Sequence, residues 1–126
     1  MSKLYYIPLF LLLLGCGVDK PQEVLQAEAD IPEYIDFNYD VKPILSDKCF
    51  ACHGPDKKKQ KAGLRLDTED GAYAALKDAN GKHAIVPKSL SKSAVYFRMI
   101  SDDPELKMPP PESNLNLSFK EIAIIS

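Results

Sequence analysis

The residues best suited to chemistry stand together in the run Cys49-Phe50-Ala51-Cys52-His53. A C-x-x-C-H sequence is the attachment signature of a c-type haem. Two thiols three positions apart can each form a thioether with a haem vinyl group, and the adjacent imidazole can then ligate the iron. The spacing therefore predicts one covalently bound haem c, held by Cys49 and Cys52, with His53 as an axial ligand.

Three other interpretations of these cysteines compete with haem attachment. A thioredoxin-like redox pair expects a βαβ setting and has no need of a histidine in the next position. A structural disulfide is the second alternative. A zinc site of Cys49, Cys52, His53 and His83 requires that the adjacent Cys52 and His53 both face one ion. The sequence favours haem over all three.

The first residues have the pattern of a targeting segment. Lys3 gives a positive start, residues 4–14 are apolar, and Leu13-Leu14-Gly15-Cys16 follows the pattern of a bacterial lipobox. Eleven apolar residues are too few to span a bilayer, which takes about 20. We predict a lipoprotein signal peptide over residues 1–15 and acylation of Cys16. A simple secretory signal and a buried apolar helix are the alternatives, but lipid attachment also explains the odd third cysteine.

Export and haem attachment support each other, because bacteria attach haem c on the outer side of the cytoplasmic membrane. The predicted location is the bacterial cell envelope, with the lipid on Cys16 in a membrane and the haem domain facing the periplasm or the exterior. The formal net charge of −2 gives no electrostatic case for binding nucleic acid.

The segment that follows the predicted lipid is acidic. Residues 16–36 carry six carboxylates and one lysine, with Pro21 and Pro32 as interruptions. Such a composition is typical of a solvated linker. We therefore expect residues 16–36 to tether the domain to the membrane, and an acidic surface helix over residues 22–29 is the alternative.

Helical periodicity and capping residues predict several short helices in residues 37–126. The first begins after Asp36 or Asn38 and bends at Pro43 before it reaches Cys49. Others begin near Thr68, Ser91 and Ser118. After Gly54, the run from Asp56 to Lys61 is cationic; it favours a solvated loop, and a docking patch for an acidic redox partner is the functional alternative.

Two methionines and one histidine are candidates for a second iron ligand. Met99 falls among the apolar residues of a predicted helix, which favours the core, and His83 lies just after a predicted turn, which favours a loop. Met108 precedes three prolines, whose fixed φ angles hold a loop in one shape. Met108 is therefore the best candidate.

The ordered motifs of this region resemble the planctomycete-type cytochrome c domain. The matching runs are Val41-Lys42-Pro43-Ile44-Leu45, Cys49 to Gly54, Gly63-Leu64-Arg65-Leu66-Asp67, Ala84-Ile85-Val86-Pro87, Ser93 and Met108-Pro109-Pro110. The resemblance covers residues 37–126. It implies an all-α cytochrome c domain wrapped around one haem, His53 as proximal ligand, Met108 as distal ligand and a role in electron transfer rather than enzymatic catalysis.

In that family the domain usually lies near the start of a larger exported protein. The helix that begins at Ser118 reaches Ser126 without a C-cap, so we expect a domain truncated in its C-terminal helix. Its partner is then a redox protein or the downstream domains of the longer chain. The alternatives are a haem enzyme or gas sensor with an open distal site, and a lipoprotein whose cysteines bind zinc or form a disulfide.

Overall fold

The computed structural model describes residues 17–77 and 79–126, and over these residues the chain is helical without a β-strand. The prediction of an all-α fold is thereby confirmed. The α-helices are α1 (Gln22–Glu28), α2 (Lys42–Lys48), α3 (Phe50–His53), α4 (Glu69–Tyr73), α5 (Ala94–Ile100) and α6 (Phe119–Ile125).

The predicted signal peptide and Cys16 lie outside the described residues. Within residues 17–77 and 79–126, no helix combines the length and the apolar character that a bilayer crossing requires.

The main core lies where α1, α5 and α6 meet. Its fully or nearly fully buried side chains are Val24 from α1, Tyr96 and Met99 from α5, and Ile122 and Ala123 from α6. The core position predicted for Met99 is thus confirmed. Helix α6 begins with a capping box in which Ser118 and Glu121 each bond the other's backbone N–H. This arrangement satisfies two otherwise unpaired donors and fixes the start of α6.

The expected acidic tether is wrong over part of its length. Residues 22–28 form α1 instead, which is the helix that the sequence left as the alternative. Val24 is completely buried against α5 and α6, while Glu23 is exposed and the half-buried Glu28 pairs with Lys20. Burial of a valine side chain stabilises the folded state by about 1.5 to 3 kcal/mol, and this gain holds an acidic helix against the domain.

The helix before the attachment motif bends as Pro43 predicts. Residues Phe37–Val41 form a π-helical turn, and the Asp36 carboxylate caps it by accepting hydrogen bonds from the backbone N–H groups of Asn38 and Tyr39. Proline has no backbone N–H to donate, and it lies in the first turn of α2, where the regular helix begins. Ile44 and Leu45 are buried, so α2 is fixed as it approaches Cys49.

The spacing of apolar residues predicts a core-facing side of α5 made of Ala94, Val95, Phe97 and Ile100. Val95 and Ile100 do pack on the main core, but Tyr96 and Met99 are the buried residues of α5 and the Phe97 side chain is 46% exposed. Tyr96 and Met99 lie three residues apart and therefore share one face of the helix. Phe97 consequently turns toward a groove on the other side of α5.

Candidate functional site

The three residues of the attachment motif lie on one short turn of helix. Cys49 is the N-cap of α3, and the backbone N–H groups of Cys52 and His53 both donate to the Cys49 carbonyl, at 3.1 and 2.8 Å. Gly54 ends the turn. A Cβ atom at Gly54 would lie 2.3 Å from the Phe50 carbonyl oxygen, so a larger residue there would push the helix apart.

Two backbone hydrogen bonds tie the motif to the segment that follows it. The Cys52 carbonyl accepts from the Lys61 N–H at 2.8 Å, and the His53 carbonyl accepts from the Leu66 N–H at 2.7 Å. Leu66 in turn belongs to a second apolar cluster with Ala72 and Ala84. The position of the motif is therefore set by residues 61–66 as well as by α2.

Cys49 is half-buried beside the second cluster. Burial raises the pKa of its thiol to about 11. Among the described residues, neither Cys49 nor Cys52 is joined in a disulfide. The structure thus presents two separate thiols three residues apart, which is what a haem with two vinyl groups requires.

His53 has the character of a neutral metal ligand. Burial lowers the pKa of its imidazole, and the nearby backbone carbonyls of Lys61 and Leu64 partly oppose this shift. Its Nδ1 is buried and has no hydrogen-bond partner within the part of the chain that the structure describes. A ligating histidine usually uses its second nitrogen to donate to a carbonyl or carboxylate. The unsatisfied Nδ1 beside two carbonyls therefore suits an imidazole whose other nitrogen binds iron.

Met108 lies on a separate loop, between α5 and α6. Its backbone N–H donates to the Arg98 carbonyl at 2.9 Å, and the next residue, Pro109, is buried. The Met108–Pro109 peptide bond is cis. Met108 itself is half-buried. The loop is thus attached to the end of α5 through Arg98.

A groove of about 920 Å³ lies beside α5. Its lining includes neighbours of the attachment turn and neighbours of the Met108 loop. Leu76 and Ile85 line it and also pack in the cluster that Cys49 joins. Arg98 and Leu106 line its other side. The Arg98 carbonyl accepts a hydrogen bond from the Met108 N–H, and Leu106 lies two residues before Met108. The volume falls within the range of about 300 to 1,000 Å³ that is usual for ligand sites.

The lining of the groove is unusually apolar for a surface. Tyr73, Phe97 and Leu106 are 40%, 46% and 46% exposed, and all three line this one groove. Exposed apolar side chains gathered at one place mark a ligand or interaction site. Cys49, Cys52, His53 and Met108 do not themselves line it. The groove therefore adjoins the attachment motif and the Met108 loop through shared neighbours.

The remaining candidate from the sequence, His83, makes another contact, and so does the nearby Arg65. His83 Nδ1 lies 2.7 Å from the Tyr73 carbonyl, in a loop as predicted. Arg65 pairs with Asp67, which leaves it no unmatched charge. Among residues 17–77 and 79–126, no three side chains of the types that bind metals come together.

A comparison with known protein families identifies the family of this chain. The family described as Planctomycete cytochrome C matches residues 49–112, which is just over half of the chain. This chain belongs to the planctomycete cytochrome c family. The match begins at Cys49 and includes His53 and Met108. Neither the curated proteins nor the solved structures give a match.

Sequence reasoning did not find the groove. Its apolar residues come from α4, α5 and three loops, and no periodicity in the sequence connects them. One signal was present: once Tyr96 and Met99 are assigned to the core, Ala94 and Phe97 fall on a different side of the same helix. The family match implies haem c as the cofactor of the domain.

Proposed function

We propose that the chain is an electron-transfer protein that carries one covalently bound haem c. The observation that carries this proposal is the attachment turn, which brings Cys49, Cys52 and His53 together on one short turn of helix. The family to which the chain belongs supports haem c as the cofactor.

Each residue of the site has a distinct role in the proposal. Cys49 and Cys52 would hold the haem through thioether bonds, and His53 and Met108 would ligate its iron. The haem supplies a one-electron couple between ferrous and ferric iron. His53 is suited to its role because burial keeps its imidazole neutral. Axial ligation by histidine and methionine would raise the reduction potential of the haem.

Visible spectra and haem staining test the proposal together. The protein is made with its export signal in a host that has haem-maturation machinery, and the purified protein is examined in both redox states. We expect a c-type spectrum and a haem-stained band on a denaturing gel. The double variant C49A/C52A is expected to lose most of that band.

Two results would refute this function. A colourless protein would return the cysteines to a disulfide or zinc role, and haem that acid acetone extracts would contradict covalent attachment. A c-type spectrum with an open sixth position would instead favour a haem enzyme or gas sensor.

We also propose that the lipid on Cys16 anchors this domain in the bacterial cell envelope. The support is the sequence Leu13-Leu14-Gly15-Cys16 after an apolar run. Replacing Cys16 with Ser is expected to leave the haem in place and to move the protein from the membrane fraction to the soluble fraction. Unchanged fractionation contradicts the anchor.

The proposed partner is a redox protein or domain with an acidic surface. Four lysines and one aspartate give residues 56–61 a net charge of +3 in a chain whose formal net charge is −2. Asp56 is occupied locally, because its carboxylate accepts from the Lys58 N–H. The Lys61 N–H binds the Cys52 carbonyl at 2.8 Å, so the lysines lie beside the haem-attachment turn. Complementary charge at this position speeds the encounter with an acidic partner.

A further inference from the structure

The groove beside α5 combines an apolar floor with a cationic rim. Its exposed apolar side chains are those of Tyr73, Phe97 and Leu106. The positive charges of the rim come from Lys82, Lys92 and Arg98. Within residues 17–77 and 79–126, no carboxylate lines the groove. A site of this kind favours an occupant that presents apolar side chains together with negative charge.

The groove is separate from the residues proposed to hold the haem. Its lining contains none of Cys49, Cys52, His53 or Met108. The proposed function therefore leaves the groove without an occupant, although it exposes apolar surface that a monomeric protein rarely gathers in one place without a ligand or a partner.

A second surface of the same chain has the complementary character. Residues 33–40, the acidic aromatic segment, carry three carboxylates and neither a lysine nor an arginine. Three aromatic side chains of this segment, Tyr34, Phe37 and Tyr39, are 79%, 55% and 85% exposed. The segment thus offers the combination of apolar and anionic groups that the groove lacks.

Hydrogen bonds hold the acidic aromatic segment in one shape. The Asp36 carboxylate accepts from the backbone N–H groups of Asn38 and Tyr39, at 2.8 and 3.0 Å. The Asp40 carboxylate accepts from the Asp36 N–H at 2.8 Å. A segment that is already ordered loses less entropy when it binds, and its carboxylates keep their negative charge.

We propose that the groove of one copy of this chain binds the acidic aromatic segment of a second copy. None of residues 33–40 lines the groove, so the two surfaces are distinct within one molecule. A contact between two different surfaces is a head-to-tail contact, and it leaves one groove and one segment free at the ends of a pair. Further copies can therefore add to the pair.

The groove suits the acidic aromatic segment better than the lysine run does. Residues 56–61 are also cationic, but they include no apolar side chain. Aromatic side chains gain free energy chiefly from burial against other apolar groups. Only the groove therefore offers both the charge and the apolar surface that the segment needs.

The size of the contact predicts a weak association. An aromatic side chain buries about 150–250 Å², so three of them and the facing groove give an interface of about 1,200 Å², at the low end of specific interfaces. Copies that share a membrane through the proposed lipid on Cys16 meet at a raised local concentration, which strengthens a weak contact.

Sedimentation equilibrium of the haem-loaded protein tests the proposal, with Cys16→Ser throughout so that no lipid contributes. The groove variant is K82E/K92E, which reverses two exposed lysines of the rim. The segment variant is Y34S/Y39S, which removes the two most exposed aromatic side chains of the segment. We expect the average mass of the parent to rise between about 10 μM and about 1 mM, as for a weak interface. Each variant alone should stay monomeric.

Mixing the two variants distinguishes a head-to-tail contact from a symmetric one. The segment variant keeps an intact groove, and the groove variant keeps an intact segment. The mixture can therefore form one contact and no more, and its average mass should approach that of a dimer and rise no further. This recovery also shows that both variants are folded.

Two matched controls separate position from composition. K57E/K59E changes the net charge as much as the groove variant does, but outside the groove. Phe119→Ser removes a side chain that is 50% exposed on α6. Both controls should associate as the parent does.

Three outcomes overturn the proposal. A parent that stays monomeric over this range shows that the contact does not form. Loss of association in K57E/K59E equal to that in K82E/K92E assigns the effect to net charge or to the lysine run. A mixture that stays monomeric shows that the groove and the segment do not meet. Failure of the proposed function is a separate result, because a colourless parent that still associates refutes the haem and not this contact.

Discussion

At the scale of single residues, the attachment turn differs from an ordinary reactive cysteine pair. A thiol reacts as its thiolate, and burial raises the pKa of Cys49 to about 11 instead of lowering it. A folded chain therefore keeps Cys49 protonated and unreactive at neutral pH. This makes a thioredoxin-like activity at Cys49 and Cys52 chemically unfavourable, in agreement with the family assignment.

The first prediction concerns the reactivity of Cys49 in chain made without haem. In a background of C16S and C52A, alkylation of Cys49 at pH 8 is expected to be about a hundredfold slower in native buffer than in urea. The factor follows from a pKa shift from 9.0 to about 11, because at fixed pH the thiolate fraction falls about tenfold for each unit by which the pKa rises. Equal rates in the two solvents would show that the thiol is not buried in the haem-free chain.

The sign of the pH dependence follows from the same shift. The folded state binds the Cys49 proton more tightly than the unfolded state, so this group favours folding below pH 9 and the benefit is lost as the pH rises toward 11. Rates of alkylation measured from pH 8 to pH 11 should therefore converge as the pH increases.

The second prediction concerns the distal ligand. Met108→Ala is expected to abolish the red-edge charge-transfer band of ferric iron bound to methionine sulfur and to lower the reduction potential, because an uncharged thioether favours ferrous iron. Visible spectroscopy and a redox titration measure both effects.

Met99→Leu is the control for the other methionine. Met99 is 5% exposed in the core between α5 and α6, so its replacement by a side chain of similar size should preserve the band and the potential. A parent protein without the band, or a Met108→Ala protein that keeps it, would remove Met108 from the site and favour an open distal position.

At the scale of the secondary-structure elements, the sequence predicts how α4, α6 and the π-helical turn begin and fails for the segment before the domain. Thr68, Ser118 and Asp36 cap helices or turns as expected, because capping depends on neighbouring residues alone. Helix α1 depends on distant residues. Its composition is that of a linker, and only contact with α5 and α6 buries Val24.

A weak pattern in the sequence points to α1. Val24, Ala27 and Ile31 recur at intervals of three and four residues, and all three pack on the main core. Six carboxylates in the same region outweigh this signal when composition alone is considered. The sequence does not show that α6 packs against α1, so it does not predict where α1 lies on the core.

The third prediction tests the packing of α1. Val24→Ala in the haem-loaded protein is expected to lower the free energy of unfolding by about 2 kcal/mol, because it removes buried methyl groups and leaves a cavity. Denaturant titration measures the change. Leu25→Ala, on the same helix but at a side chain that is 44% exposed, should cost about 0.5 kcal/mol or less.

Equal small effects of the two substitutions would contradict the packing of α1. They would return residues 22–28 to the role of a solvated tether.

At the scale of the whole molecule, charge is distributed unevenly around the attachment motif. The lysine segment, residues 56–61, lies directly after His53 and is bonded to Cys52, while the carboxylates of α1 lie on a helix packed against α6. The sequence shows the lysine run but not its neighbours. Its position beside the site comes from the Lys61 to Cys52 hydrogen bond, which joins residues nine positions apart.

The last prediction compares two charge reversals of equal size in the haem-loaded protein. The triple variant K57E/K58E/K59E reverses three exposed lysines beside the attachment turn, and K42E/K88E/K120E reverses three exposed lysines on other elements. Oxidation of the ferrous protein by the anionic hexacyanoferrate(III) is followed by stopped flow at low ionic strength. We expect the first triple to slow it about tenfold more than the second, since local potential governs the encounter.

Reagent charge and salt provide the controls for this comparison. A cationic cobalt(III) phenanthroline complex should oxidise the first triple faster than the parent, because the reversed charges now attract it. The difference between the triples should vanish near 1 M salt, where the Debye length is about 3 Å. Identical rates for the two triples at low salt would mean that net charge alone controls the reaction, and residues 56–61 would then be a solvated loop without a docking role.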